Sequence, residues 1–178
     1  VISAGNTHPR DIRKEWPEDH FDALKTLASS RNDVIKKPAE SCRNISVTAL
    51  NPPDMDGIVP YALSNYSCRG PGLRVGLKPD LAHVGGSGTA HPTLGHGLLS
   101  LNTEGSVVDG CGTSYAAPNV AKTLASLDHN IEGMVSRETL IALGIHHAVL
   151  PESLNDKSLR NVTKDLVGFG IPNGSEQI

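Results

Sequence analysis

The strongest constraint on the fold is a junction at Gly112, where a glycine-rich stretch is followed by a helical pattern of small residues. Pro118 is expected in the first turn of the predicted helix, where its missing N–H costs nothing. From Ser114 to about Leu127, apolar positions repeat with helical spacing at Ala117, Val120, Ala121, Leu124 and Ala125. Small side chains on such a face let a helix approach its neighbours closely. The sequence therefore predicts a tightly packed helix that begins beside Ser114.

The rest of the chain alternates between strand and helix patterns. Strand patterns cover residues 1–4, 45–50, 62–66, 81–84 and 106–108. Helical patterns cover about 17–30, with Phe21, Leu24, Leu27 and Ala28 on one face, and a stretch that starts at Ser136. Residues 85–98 are rich in glycine and predict a loop. This alternation favours an α/β fold, with a mostly parallel sheet flanked by helices.

Length and charge narrow the class of protein. The chain has 178 residues, which is enough for one domain with its own core. Its formal net charge of −3 does not favour nucleic acid or an anionic membrane as a partner, because both bind basic surfaces. No apolar run approaches the roughly 20 residues that a membrane-spanning helix needs. We therefore expect binding to neither.

The cysteines carry a second compositional signal. Cys42, Cys68 and Cys111 are too few and too scattered for a disulfide framework, and none forms a C-x-x-C pair of the kind that binds zinc. Free thiols are typical of a reducing compartment. Together with the low aromatic content, they lean toward the bacterial cytoplasm without fixing the localisation.

Ser114 is the main candidate for chemistry. Backbone N–H groups at a helix N-terminus are unpaired and partly positive, so they stabilise an oxyanion that forms beside a nucleophilic serine. Gly112 lets a substrate approach the backbone. Serine is also a favoured N-cap residue, a structural role without chemistry. The junction alone leaves a nucleophile and a helix cap open.

Four segments stand in a defined order: VISAGN at 1–6, LSNYSCRGP at 63–71 with KPDL at 78–81, GTSYAAPNVA at 112–121, and GFGIPN at 168–173. Together they resemble the subtilisin-like serine peptidases (subtilase family), whose nucleophile segment reads G-T-S-x-A-x-P-H-V-A. Residues 38–50 are similar to a family strand more loosely. Asn119 departs from the pattern, and residues 7–37 are longer than the loop of many members. The resemblance implies a partial subtilisin-like fold over residues 1–178, the C-terminal part of a catalytic domain.

The resemblance also implies a role for each site residue. Ser114 corresponds to the nucleophile of a serine endopeptidase that works through an acyl-enzyme, and Asn6 corresponds to the oxyanion-hole donor. The implied substrate-binding residues for a peptide or protein are Ser3, Ala4, Gly5, Gly112 and Thr113. The first three would line the pocket for P1, the substrate residue whose carbonyl is attacked. No cofactor or metal is implied in this chain, although many full-length members bind calcium.

The catalytic base is the part of the resemblance that the chain lacks. In subtilases the Asp and His precede the serine along the chain. No histidine here lies in a segment similar to the family's H-G-T-H-x-A. His91 and His96 stand five residues apart in the glycine-rich loop, a weak metal-binding pattern, and are interpreted as surface residues. We expect the Asp/His half to be absent, and this piece alone to have negligible activity.

Two interpretations from other classes stay open. A non-catalytic domain could keep the same scaffold for binding peptide or protein. An esterase of the α/β-hydrolase type would need G-x-S-x-G and a histidine after its serine. His129, His146 and His147 follow Ser114, but Tyr115-Ala116 does not fit that motif.

Residues 1–4 carry one further expectation. If they form an interior strand of a parallel sheet, the absence of an upstream half leaves this strand at an edge. Exposed strand edges pair readily with other chains. We therefore expect self-association through this strand.

Overall fold

A computed structural model of the chain describes residues 1–73, 76–88 and 95–173. The helices are α1 (His20–Ser29), α2 (Thr113–Asn130), α3 (Arg137–His146) and α4 (Thr163–Val167). The strands are β1 (Ile2–Ser3), β2 (Ser46–Leu50), β3 (Leu81–Val84), β4 (Leu98–Leu101), β5 (Val107–Gly110), β6 (Ala148–Val149) and β7 (Ile171–Pro172). Single 3-10 turns cover Pro9–Asp11 and Glu152–Leu154.

The centre of the fold is a three-stranded parallel sheet in the order β1-β2-β3. Ile2 pairs with Ser46, and Leu50 pairs with Val84. Parallel strands need crossover connections, and here the chain between them carries the helix α1 and long loops. The predicted α/β class with a parallel sheet is confirmed.

Strand β2 is buried on both faces, and its alternation divides the core. Val47 and Ala49 pack with Leu81 and with Ala116 and Val120 of α2. The opposite face contributes Leu50 to a second cluster, whose other buried members include Trp16, Leu27, Leu63, Leu154 and Leu166. Because side chains alternate along a strand, one five-residue strand holds both layers together.

Two strand predictions need correction. Residues 62–66 form no strand; Leu63 makes only an isolated bridge to Leu50, and the segment instead turns while staying buried. The predicted loop over 85–98 includes Leu98, the first residue of β4, which pairs antiparallel with β5. Leu99, Leu101 and Val107 on this hairpin are exposed, so the alternating pattern that signals a half-buried strand is missing there.

The helices form where the sequence predicts them, but some of the residues predicted to lie on their buried faces are exposed. Asp19 caps α1 by accepting from the Asp22 N–H at 3.0 Å, but Phe21 is 68% exposed, and Ala23 and Leu27 face the core instead. On α2, the side chains of Ala121 and Ala125 are exposed. Since α2 begins at Thr113, Pro118 lies past the first turn.

The long segment 7–37 is bound to the body of the fold by buried charges. The Arg13 guanidinium contacts Asp33 Oδ2 at 3.0 Å and donates to the backbone oxygens of Ser64 and Ser67 at 2.9 and 2.8 Å. Arg69 approaches the same Asp33 oxygen at 2.7 Å. We call Arg13, Asp33 and Arg69 the charged cluster. It fixes the end of the segment, residues 33–36, beside the strand-and-turn segment 1–6.

Across the described ranges, none of the helices combines the length and the apolar character that crossing a membrane requires.

Candidate active site

The candidate site lies at the carboxyl edge of the parallel sheet. Asn6 follows β1 and Gly85 follows β3, so parallel pairing brings both to the same edge. The Gly112 N–H donates to the Gly85 carbonyl at 2.9 Å, which places the start of α2 there as well. Ligands of open α/β sheets bind outside the carboxyl ends of the strands. The fold therefore brings residues more than 100 positions apart into one site.

The side chain of Asn6 is held in one orientation by Thr113. Asn6 Oδ1 accepts from the Thr113 backbone N–H at 3.0 Å and from the Thr113 hydroxyl at 2.9 Å. The same hydroxyl accepts from the Gly5 N–H at 3.2 Å. Because the amide oxygen is the end that accepts these bonds, the amide N–H2 group of Asn6 points the other way.

That N–H2 group and the hydroxyl of Ser114 both lie beside Gly112. A β-carbon at Gly112 would be 3.2 Å from both Asn6 Nδ2 and Ser114 Oγ. The φ of Gly112 is +155°, in a region that side chains disfavour, so glycine suits this position both by its backbone conformation and by the tight space around it. Neither polar atom is hydrogen-bonded to the described part of the chain, and both residues are exposed. The site thus presents a hydroxyl and an amide donor to solvent.

Ser114 does not cap its helix. Gly112 is the N-cap of α2 and has no side chain with which to make a capping bond; the first-turn N–H of Thr113 donates to Asn6 Oδ1 instead. By contrast, α1 and α3 are capped by the side chains of Asp19 and Ser136. This removes the capping interpretation that the sequence left open, and it leaves the positive end of the α2 dipole beside the Ser114 hydroxyl.

A buried turn, residues 63–70, supports the site from behind. The Thr7 N–H donates to the Tyr66 carbonyl at 2.8 Å, and the Cys68 N–H donates to the Gly5 carbonyl at 2.9 Å. The Tyr66 hydroxyl donates to the Gly85 carbonyl at 2.8 Å, and burial raises its pKa. These contacts fix the backbone on both sides of Asn6, and the Tyr66 hydroxyl stays protonated as a donor.

The predicted substrate-binding residues divide by exposure. Ser3 and Gly5 are partly exposed, whereas Ala4, Gly112 and Thr113 are buried. The side chains of Ala4 and Thr113 are buried, so these two residues would meet a substrate through their backbone, and their role in substrate binding stays a prediction. Ala4 packs with Ile35 and Ala39, and Thr113 orients Asn6. Of these residues, Ser3 has a partly exposed side chain, and Gly5 is partly exposed through its backbone.

No histidine of the described residues contacts Ser114. The His96 ring lies with Nδ1 at 3.4 Å from the Ser87 carbonyl and Nε2 at 3.3 Å from Asp109 Oδ1, so both nitrogens are engaged. The sequence interpretation did not foresee this pair. His129 is 15 residues along α2 from Ser114, about 22 Å at 1.5 Å per residue, too far to act as its base. The predicted surface residue His91 lies outside the described residues.

Lys36 is a site neighbour that the sequence interpretation missed, because it placed residues 31–44 in a polar connection. Its ammonium donates to the backbone oxygen of Asn6. The one feature of the sequence that could have drawn attention to Lys36 is the lysine pair Lys36-Lys37. This pair directly precedes residues 38–50, which are loosely similar to a strand of the family.

A search of the described ranges for three or more His, Cys, Asp or Glu side chains placed to hold a metal ion finds none.

The chain is similar in sequence to a known family and to a curated protein. A model described as the subtilase family matches residues 1–170. The uncharacterized protein y4bN of Sinorhizobium fredii strain NGR234 is 28% identical over 188 aligned residues, which cover 88% of this chain and 42% of that protein.

Two solved structures share the fold over 97% of this chain. One is a lanthipeptide protease, with a TM-score of 0.55, 17% identity and 48% of its own chain covered. The other is the serine protease MycP1, described as an essential component of the type VII (ESX-1) secretion system, with a TM-score of 0.53, 19% identity and 41% covered. The chain thus spans less than half the length of each protein it matches here.

Proposed function

The chain belongs to the subtilase family, and from this premise we propose that it is the nucleophile-bearing part of a serine endopeptidase. One observation carries the proposal. The hydroxyl of Ser114, which does not cap its helix, and the amide donor of Asn6 both lie beside Gly112. Ser114 Oγ attacks the scissile carbonyl and forms an acyl-enzyme that water then hydrolyses.

The oxyanion that forms in this attack is stabilised by two donors. Asn6 Nδ2 supplies one and the Ser114 backbone N–H, at the positive end of α2, supplies the other. Thr113 acts on the reaction through Asn6, since its N–H and hydroxyl fix the amide. It is therefore a positioning residue.

The base is supplied by a His–Asp pair outside this chain. A serine hydroxyl without a base is a weak nucleophile at neutral pH. In subtilisin, removal of the histidine alone lowers turnover by roughly 2 × 10⁶. We therefore expect residues 1–178 alone to hydrolyse peptides at a negligible rate.

A fluorophosphonate probe on the full-length protein tests the proposal. We expect covalent labelling of the protein at Ser114 and its loss in Ser114→Ala. Ser136→Ala is the matched control, because Ser136 stands at another helix N-terminus and is used as a cap; it should keep full labelling. Labelling that survives Ser114→Ala would contradict the proposal.

A non-catalytic peptide-binding domain is the second candidate. It is favoured by one observation: within the described ranges, Ser114 has no histidine partner. A full-length protein that binds peptides but takes no label at Ser114 would select it over the peptidase.

A further inference from the structure

The side chain of Lys36 lies across Gly5, next to the oxyanion donor. A β-carbon at Gly5 would be 3.1–3.2 Å from the Cβ, Cγ and Cδ of Lys36, so the absence of a side chain at Gly5 makes room for the lysine stem. The ammonium at the end of this stem donates to the Asn6 backbone oxygen. One hydrogen bond leaves further ammonium donors available to a ligand.

The backbone of Lys36 is firmly placed. Its N–H donates to the Ala4 carbonyl at 3.0 Å, and the preceding Ile35 N–H donates to the Arg69 carbonyl at 2.8 Å. The Ile35 side chain is 3% exposed and packs with Ala4 and Ala39. The position of the lysine beside Asn6 therefore follows from the core and does not depend on a surface loop.

The charge of Lys36 is not neutralised by its surroundings. In the ranges that the structure describes, no carboxylate lies within ion-pair distance of its ammonium. The nearest acid in sequence, Asp33, already binds two arginines in the charged cluster. A ligand that reaches this ammonium meets a net positive charge.

The Lys36 ammonium binds the backbone of Asn6, the residue whose side chain would hold the P1 carbonyl oxygen, so P1 is the substrate residue that this placement points to. Its carbonyl carbon is attacked by Ser114 and its carbonyl oxygen is bound by Asn6, so its side chain is attached to the carbon next to both. We propose that Lys36 is a specificity-determining residue that selects an acidic side chain, Glu or Asp, at P1. This inference rests on the proposed peptidase function.

Hydrolysis by the full-length protein of peptides that differ only at P1 tests this proposal. Glu and Gln have the same shape, so their ratio isolates the charge. We expect a kcat/KM for P1 Glu about tenfold or more above that for P1 Gln. The ratio should shrink as salt is raised, because the ammonium is exposed and screened.

Two variants locate the effect. Lys36→Met should bring the Glu/Gln ratio close to one, and Lys36→Glu should invert the preference toward P1 Lys. Lys37→Met is the matched control, since it removes the same charge from the neighbouring exposed position, and it should keep the wild-type ratio. A wild-type ratio near one, or a preference that survives in Lys36→Met, would overturn the inference.

The two proposals fail in different ways. Labelling of Ser114 and cleavage of peptides irrespective of Lys36 would overturn the acidic preference and leave the peptidase standing. An absence of both labelling and cleavage would overturn the peptidase and the preference with it.

Discussion

Two regions of this molecule use polar groups to join distant parts of the chain. In one region the polar groups are paired with each other, and in the other some are left free to bind a ligand. In the charged cluster, Asp33 and Arg13 are 3% and 7% exposed, and the guanidinium of Arg13 has both a carboxylate and backbone oxygens as partners. In the candidate site, Asn6 Oδ1 is fully used by Thr113, while Asn6 Nδ2 and Ser114 Oγ are left without partners among the described residues.

The contrast separates structural from chemical use of polar atoms. A buried charge that loses its partner is costly, so the cluster satisfies every group it buries. A reactive group must be held in place while its own hydrogen-bonding atoms stay free for the substrate. The site achieves this because Thr113 binds only the oxygen of the Asn6 amide. Substitutions in the cluster should therefore act on folding, and substitutions in the site should act on turnover.

The largest expected effect is on folding, from Asp33→Ala. This change leaves Arg13 buried without its carboxylate, and breaking such a pair costs about 3–5 kcal/mol of unfolding free energy. Urea denaturation of the full-length protein measures it. Asp22→Ala is the control, because Asp22 pairs with Lys25 in solvent, where the interaction is screened, so stability should stay nearly unchanged. Equal losses in the two variants would refute the structural role of the cluster.

The candidate site was predictable from the sequence and the cluster was not. Ser114, Gly112 and Asn6 stand in short segments that resemble those of the subtilase family, and that resemblance assigned their roles. Arg13, Asp33 and Arg69 are ordinary charged residues, and only the tertiary fold brings them together over as many as 56 positions (from 13 to 69). No local pattern signals such a pairing.

The same reasoning explains the errors on Phe21 and Lys36. The helical spacing of Phe21 fits the α1 face, but Trp16 and Ala23, rather than Phe21, are the buried members of the core cluster beside that helix. Lys36 lies in a polar stretch without periodicity, so its position across Gly5 depends on the backbone bond to Ala4. Periodicity predicts which elements form, whereas the choice of buried side chain depends on neighbours from elsewhere in the chain.

The largest expected effect on turnover comes from Asn6→Asp. The aspartate keeps an acceptor for Thr113 and loses the donor toward Ser114, so folding should change little. We expect kcat to fall by at least about 10²–10³, the loss measured when subtilisin loses its own side-chain donor. Asn119→Ala serves as control, because Asn119 lies on α2 with Ser114 but its amide donates to the Tyr115 carbonyl. An unchanged kcat in Asn6→Asp would exclude the oxyanion role.

A smaller effect on turnover should follow from Thr113→Val, which removes the hydroxyl that helps to fix the Asn6 amide. One hydrogen bond contributes about 0.5–1.5 kcal/mol, so we expect kcat to fall up to about tenfold, with KM little changed. Thr113→Ser restores the hydroxyl and should restore kcat. If Thr113→Ser remains as slow as Thr113→Val, the methyl group and its packing matter, and the positioning role is wrong.

The smallest expected effect is on how the free energy of unfolding depends on pH. This dependence should differ between a buried carboxylate and an exposed one. Burial raises the pKa of Asp33, but the Ser30 hydroxyl and both arginines outweigh this, so its pKa is lowered overall. A lowered carboxyl pKa stabilises the fold above the unfolded value of about 3.9, and this contribution is lost as the pH falls through the folded value. The pKa of Asp156, whose side chain is 44% exposed, is also lowered, chiefly by the Ser158 hydroxyl and then by the Ser158 N–H and His20.

Urea midpoints measured from pH 7 to pH 3 at low and high salt distinguish the two acids. Asp33→Asn should flatten the pH dependence below about pH 4 at either salt concentration, because the cluster is buried. Asp156→Asn should flatten it less, and salt should reduce that contribution, because the carboxylate is exposed and its pairing with His20 is screened. An Asp33→Asn profile that salt erases equally well would mean that the cluster is open to solvent, and the contrast between the two regions would fail.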